Sequence, residues 1–272
     1  MLPTRFPCVP TARSPALLCA ALGAVAALMG VRIGVSGAAL SGAGVGFVAR
    51  APRVAASVPG EVVINGERLV LAAHYRGVTS VAFSPDGRLL VSTGSDHMVR
   101  VWEMATGRPV RAMGPFRGLT DDAAFSPDGR LVLFADPWGG AARLFEVSTG
   151  RQVRALHVGL FGVNAAAYAP DGRTVATGGQ ERTVRLWSVA TGRTVRVLRG
   201  HQDQVTALAF SRDGRLLLSG STGDDETVRL WDVASGRQVR VLRGHMAMIA
   251  DVGFAPDGRT GASASWDNTV RL

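Results

Sequence analysis

Between Gly200 and Asp232 short apolar stretches alternate with turn-forming ones. Val205–Phe210 alternates and is rich in β-formers, which predicts a strand with one buried face. Arg212-Asp213-Gly214 is a turn signal. Leu216, Leu217 and Leu218 form the apolar run that a buried strand needs. The acidic, glycine-bearing stretch Thr222–Glu226 predicts a second turn. Thr227–Trp231 alternates again, with Val228 and Leu230 on one face and Arg229 and Trp231 on the other.

This pattern recurs along the chain. Asp-Gly pairs stand at Asp86, Asp128, Asp171, Asp213 and Asp257, so successive pairs are 42, 43, 42 and 44 residues apart. Three residues before each Asp is an aromatic: Phe83, Phe125, Tyr168, Phe210 or Phe254. A period of about 40–45 residues with four strands per unit is that of a propeller blade. Over roughly residues 61–272 the chain resembles the WD-repeat (Trp-Asp repeat) β-propeller family.

The resemblance implies an all-β fold, a β-propeller; the repeats here give about five blades, and the ring of seven that the resemblance most readily implies would make them a truncated part of a larger one. It also implies a hydrogen-bonded His, Ser, Asp and Trp tetrad that locks a blade. His201, Ser219, Asp225 and Trp231 match it best. His74, Ser92, Asp96 and Trp102 match in the first repeat, and His245, Ser263 and Asp267 in the last. The third repeat keeps Thr177 and Trp187 but has Gly159 and Glu181 at the His and Asp positions. The second has Phe116, Ala135, Gly139 and Phe145, so its tetrad is absent and the rigidity of both blades is in question. The expected repeats are 74–115, 116–158, 159–200, 201–244 and an incomplete 245–272. Residues 61–73 are read as closing strands: Asn65-Gly66 signals a hairpin, and Glu67–Leu71 matches a fourth strand that can complete the last blade.

Composition narrows the chemistry. All 30 basic residues are arginine, which excludes a Schiff-base lysine and a lysine-dependent phosphate loop. Five arginines lie before residue 61, where there is no Asp or Glu, so +4 of the net +9 belongs to the repeats. Without interleaved stacking aromatics that charge does not point to nucleic acid. Arginines in the fourth strands protect an outer edge. Residues 1–41 have a charged start, an apolar centre and small residues at Ala39 and Ser41, the layout of an export signal or membrane anchor. Residues 42–60 read as a linker. Cys8 and Cys19 lie in the leader, so the repeats hold no disulfide and no thiolate metal site.

His201, Ser219 and Asp225 have the residue types of a hydrolase triad. Similar sets recur in other repeats, however, and an active site is built once. No catalytic residue, cofactor or metal is expected. What remains is binding to other proteins, with membrane contact only through the leader and with an exported or anchored location, the alternative being cytoplasmic. Loops on the rim that carries the tetrad His and Asp vary most between repeats, and Trp138, Asp224, Met246, Met248 and Trp266 are the candidate partner contacts. The alternatives are a ligand-binding or enzymatic propeller using its central channel, and a sensory fragment of a larger membrane-bound signalling protein.

Overall fold

The computed structural model describes residues 62–65, 68–71, 73–117, 120–159 and 162–272. The leader, the linker and both cysteines lie outside the described residues. The first two strands, β1 (Val62–Asn65) and β2 (Arg68–Leu71), form a hairpin in which Asn65 lies in the strand opposite Arg68 and not in the loop that the Asn-Gly signal assigns to it.

Five blades follow, each in antiparallel nearest-neighbour order. Blade 1 is β3 (Val78–Phe83), β4 (Leu89–Gly94), β5 (Val99–Glu103) and β6 (Pro109–Met113). Blade 2 is β7 (Asp121–Phe125), β8 (Leu131–Asp136), β9 (Ala141–Glu146) and β10 (Gln152–His157). Blade 3 is β11 (Val163–Tyr168), β12 (Thr174–Gly179), β13 (Thr183–Ser188) and β14 (Thr194–Arg199). Blade 4 is β15 (Val205–Phe210), β16 (Leu216–Ser221), β17 (Val228–Asp232) and β18 (Gln238–Leu242). Blade 5 is β19 (Ile249–Phe254), β20 (Gly261–Ser265) and β21 (Val270–Arg271). The protein is thus an all-β propeller of five blades. Among the described residues β2 pairs with β1 and not with blade 5, whose sheet holds three strands.

Two-sided burial explains the apolar runs. The second and third strands of blades 2, 3 and 4 are sandwiched between neighbouring blades, so apolar side chains are buried on both faces of these sheets. Four cores result. Val91 and Val101 of blade 1 meet Phe125 and Phe134 of blade 2. Leu133 and Leu144 meet Val163 and Trp187, Leu186 and Leu198 meet Leu217 and Trp231, and Leu218 and Val228 meet Ile249 and Val252. Among the described residues no such core joins blade 5 to blade 1. Accordingly Phe83 is 46% exposed, whereas its counterpart Phe125 is 7% exposed.

Polar ties reinforce each junction. The hydroxyls of Thr79 and Thr206 on inner strands donate to the carbonyls of Thr120 and Ile249 in the next blade. On the outside Arg111 donates to the Ser148 carbonyl and Arg154 to those of Val189 and Ala190. The outer strands also bulge, each at one valine: Val110, Val153, Val195 or Val239. A bulge and flanking arginines both discourage edge-to-edge pairing.

Close approach fixes glycine at Gly178 and Gly220. A Cβ on Gly220 would stand 2.4 Å from Ile249 Cγ2 and 2.8 Å from its Cβ. The β-branched Ile249 is stiff and cannot yield. Gly220→Val therefore forces blades 4 and 5 apart and costs about 1–3 kcal/mol by overpacking. Thermal melts of the variant check this; an unchanged midpoint would contradict the stacking described.

Candidate functional site

The loops of one rim are fixed by buried side chains beneath them. In blade 4 the Trp231 indole N–H donates to Ser219 Oγ at 2.8 Å, and His201 Nε2 lies 2.6 Å from the same oxygen. His201 Nδ1 contacts Asp225. The indole leaves the serine hydroxyl proton free to donate to Nε2, so Nδ1 carries the imidazole proton and donates it to the carboxylate. Blade 1 repeats this through Trp102, Ser92, His74 and Asp96, at 2.9, 2.9 and 2.6 Å. In blade 5 His245 bridges Ser263 and Asp267 at 2.9 and 2.7 Å. Ser92 and Ser219 are at most 1% exposed and committed on both sides, so neither presents a nucleophile to solvent.

The structure adds a partner that the repeat pattern did not bring out: an arginine two residues before the tryptophan position. Arg100 reaches Asp96 at 2.8 Å, Arg229 reaches Asp225 at 3.3 Å, and Arg185 reaches Glu181. The visible signal was the repeated Val-Arg-Val/Leu-Trp and an acid four residues before its arginine. Blade 2 corrects the sequence reading. Its acid is not at Gly139; Asp136, 1% exposed, accepts from the Trp138 and Gly139 N–H groups and from Arg143 Nε at 3.0 Å. The absent histidine is replaced by packing: Phe116 lies 4.8 Å from Phe134 and 5.7 Å from Phe145, centroid to centroid. Blade 3 retains the Trp187–Thr177 bond at 2.8 Å. At its histidine position a Cβ on Gly159 would come 2.9 Å from Glu181 Oε1. Both blades are therefore locked, by an acid–arginine pair instead of a full tetrad.

The carboxylates also hold the backbone of their own turns. His97, Arg182, Glu226 and Asn268, each directly after the acid, have φ of 65°, 61°, 44° and 69°. This left-handed conformation is costly for a residue with a Cβ and persists where the surroundings enforce it. Asp96 accepts from the Met98 N–H and Asp267 from the Thr269 N–H, closing these turns.

Above them sits the rim. Trp138 is 74% exposed, Met246 80% and Trp266 48%, and Asp224 is exposed too. Met248 departs from expectation: it is half-buried, and its carbonyl accepts the Trp266 N–H. Tyr75, 73% exposed with Arg76 over its ring, belongs to the same rim and was missed. Its signal was its place after His74, equivalent to that of Met246 after His245. The inner strands also hold two carboxylates at one repeat position, Asp122 and Asp251. Asp122 accepts the Ala166 N–H of the next blade at 2.9 Å, and Asp251 accepts its neighbour Val252 N–H. Among the described residues no group of three His, Cys, Asp or Glu side chains is placed to hold a metal.

The charges respond to acid with defined signs. Burial lowers the His74 and His201 pKa below the usual 6.5, outweighing Asp96 and Asp225. Burial alone would raise Asp225, but hydrogen bonds from His201, Ser221 and Gln202 hold it at about 2. Both kinds of group bind fewer protons folded than unfolded at mildly acid pH. Their stabilisation is present at neutral pH and is lost as pH falls, first below 6.5 through the histidines and then below 3.8 through the aspartate. Asp251 has the opposite sign: burial raises it to about 6, so its contribution is complete below 3.8 and lost as pH rises through about 6. Asp251→Asn is expected to raise the melting temperature at neutral pH and to have little effect in acid. Denaturation across pH checks this; a loss of stability at neutral pH would contradict it.

Comparison with known proteins agrees with this architecture. The family described as WD domain, G-beta repeat matches at residues 66–103, 150–188, 192–232 and 236–272. An uncharacterised WD repeat-containing protein of Synechocystis sp. is 38% identical over 73 residues, 26% of this chain and 21% of that protein. Eukaryotic translation initiation factor 3 subunit I of Phaeosphaeria nodorum is 36% identical over 70 residues, 25% of this chain and 21% of that protein. A ribosome biogenesis protein BOP1 homolog of Drosophila persimilis is 44% identical over 73 residues, 25% of this chain and 9% of that protein. The matched stretches thus span about a fifth or less of these relatives. With blade-long repeats matched over more than half its length and each blade locked beneath one rim, the chain belongs to the WD-repeat family.

Proposed function

We propose that the protein is a non-enzymatic interaction platform whose tetrad-bearing rim docks other proteins. The observation that carries this is the exposure of Tyr75, Trp138, Met246 and Trp266 on loops whose bases are pinned by hydrogen-bonded carboxylates. Large apolar side chains held out to water on a rigid frame lose little entropy on binding, and aromatic and methionine side chains are enriched where proteins meet. Asp224, exposed beside buried Asp225, gives the rim a charged contact at blade 4. The Ser-His-Asp sets support the non-enzymatic part: they are buried, saturated and repeated. Relatives named as an initiation factor subunit and as a COMPASS component of Saccharomyces cerevisiae, the latter 44% identical over 36 residues covering 13% of this chain and 8% of that protein, add support.

Trp138→Ala and Trp266→Ala test the reading. Each is expected to weaken capture of the chain's protein partners about tenfold or more with an unchanged melting temperature. Quantitative pull-down and thermal melts read both quantities. A fall in stability with unchanged capture would assign these side chains to loop packing.

A further inference from the structure

The outer circumference is one-signed. The segments 108–113, 151–157, 193–199 and 237–243, which are the outer strands and their lead-in residues, carry ten arginines and no Asp or Glu. Edge protection needs a charge on each edge strand and does not by itself call for ten of one sign and none of the other. The bias is strongest on neighbouring blades 3 and 4. There Arg193, Arg196, Arg199, Arg237, Arg240 and Arg243 are all exposed, and none is in an ion pair within 4 Å. The acids flanking the outer strands are engaged in their own turns, Glu103 with Thr106, Glu146 with Thr149 and Asp232 with Ser235. Arg196 lies over Gly236, whose Cβ position is 3.1 Å from Arg196 Cδ, and so joins the two rows across the blade junction.

Apolar groups stand among these charges. The bulged residues Val195 and Val239 are 58% and 55% exposed, and Leu242 is 43% exposed. No aromatic occurs in 193–199 or 237–243. Single-stranded nucleic acid calls for stacking rings between cations. Guanidinium groups interleaved with short aliphatic side chains suit another polyanion. The forks pair with phosphates, while the aliphatics enter the interfacial layer of a bilayer.

We propose that the outer edge of blades 3 and 4 is a docking surface for a membrane rich in anionic phospholipid. It is distinct from the rim and works without a spanning segment; among the described residues no helix is long and apolar enough to cross a membrane.

Vesicle flotation of the full 272-residue chain tests this, with phosphatidylcholine alone and with added phosphatidylglycerol, at low and high salt. The phosphatidylglycerol-dependent increment is the readout, so binding through any other part of the chain to neutral lipid is subtracted. One variant combines Arg193→Glu, Arg199→Glu, Arg237→Glu and Arg243→Glu; it keeps charges on the edge and spares Arg196 and Arg240. A second combines Val195→Ser and Val239→Ser. The wild-type increment is expected to fall with salt, by about tenfold or more in the charge-reversed variant and by a smaller factor in the serine variant, with unchanged melting temperatures. The proposal is overturned if the wild type shows no increment or if charge reversal leaves it intact. It is overturned equally if single-stranded RNA is bound more tightly than the vesicles and is lost in the same variant, which would assign the edge to nucleic acid.

Discussion

A carboxylate buried at a tight turn is expensive unless a cation or several N–H groups meet it. That constraint organises every complete blade of this protein. The acid between the second and third strands closes a turn with a left-handed residue and receives an arginine from the third strand. Where histidine, serine and tryptophan are present they extend the network into the blade. Where they are missing, Phe116, Phe134 and Phe145 fill the space in blade 2, and Glu181 reaches the arginine in blade 3. The acid–arginine pair is therefore the common unit, and the tetrad is an elaboration of it. A bidentate, always-charged guanidinium suits that unit better than an ammonium, in keeping with a chain whose basic residues are all arginine.

Between blades the organising constraint is close approach. Glycines at Gly178 and Gly220 admit the β-branched Val205 and Ile249. Inner hydroxyls and outer arginines then tie neighbouring backbones on either side of an apolar core. The arginines thus serve three places with one chemistry: turn locks inside the blade, carbonyl caps at the junctions, and unpaired charge on the outer strands. The outer-strand arginines of blades 3 and 4 face solvent without an ion-pair partner, so the charge of the circumference reads differently from that of the interior.

Much of this was legible in the sequence because the period is long and regular. The Asp-Gly turns, the aromatic three residues before them and the alternating third strands located the blades, and in blades 1, 4 and 5 the histidine and the aspartate lie within hydrogen-bond distance. The arginine partner was overlooked because Arg229 was read as lying on a strand face opposite Val228, where a solvated role is the ordinary one; its 6% exposure shows otherwise. Asp136 was missed because its spacing to Arg143 is seven residues in place of four, so alignment by position put Gly139 in its place. Residues 67–71 share the fourth-strand pattern, but pattern does not choose a partner, and Arg68–Leu71 pairs with the nearer strand β1. The rim exposures of Tyr75 and Met248 depended on how each loop folds, which alternation cannot encode.

The acid–arginine pair, not the complete tetrad, is what locks a blade. Blade 2 isolates it, since Asp136 and Arg143 act there without histidine or serine. A double-mutant cycle with Asp136→Asn and Arg143→Met, read by denaturant unfolding, is the most direct measurement. Arg143→Met is expected to cost about 3 kcal/mol by leaving the buried Asp136 carboxylate without its cation, and Asp136→Asn less, because Arg143 is 22% exposed. The double variant should cost less than the sum, with a coupling above about 1 kcal/mol. Additive losses would mean that the two side chains act independently, and that the lock lies in the aromatic packing around Phe116.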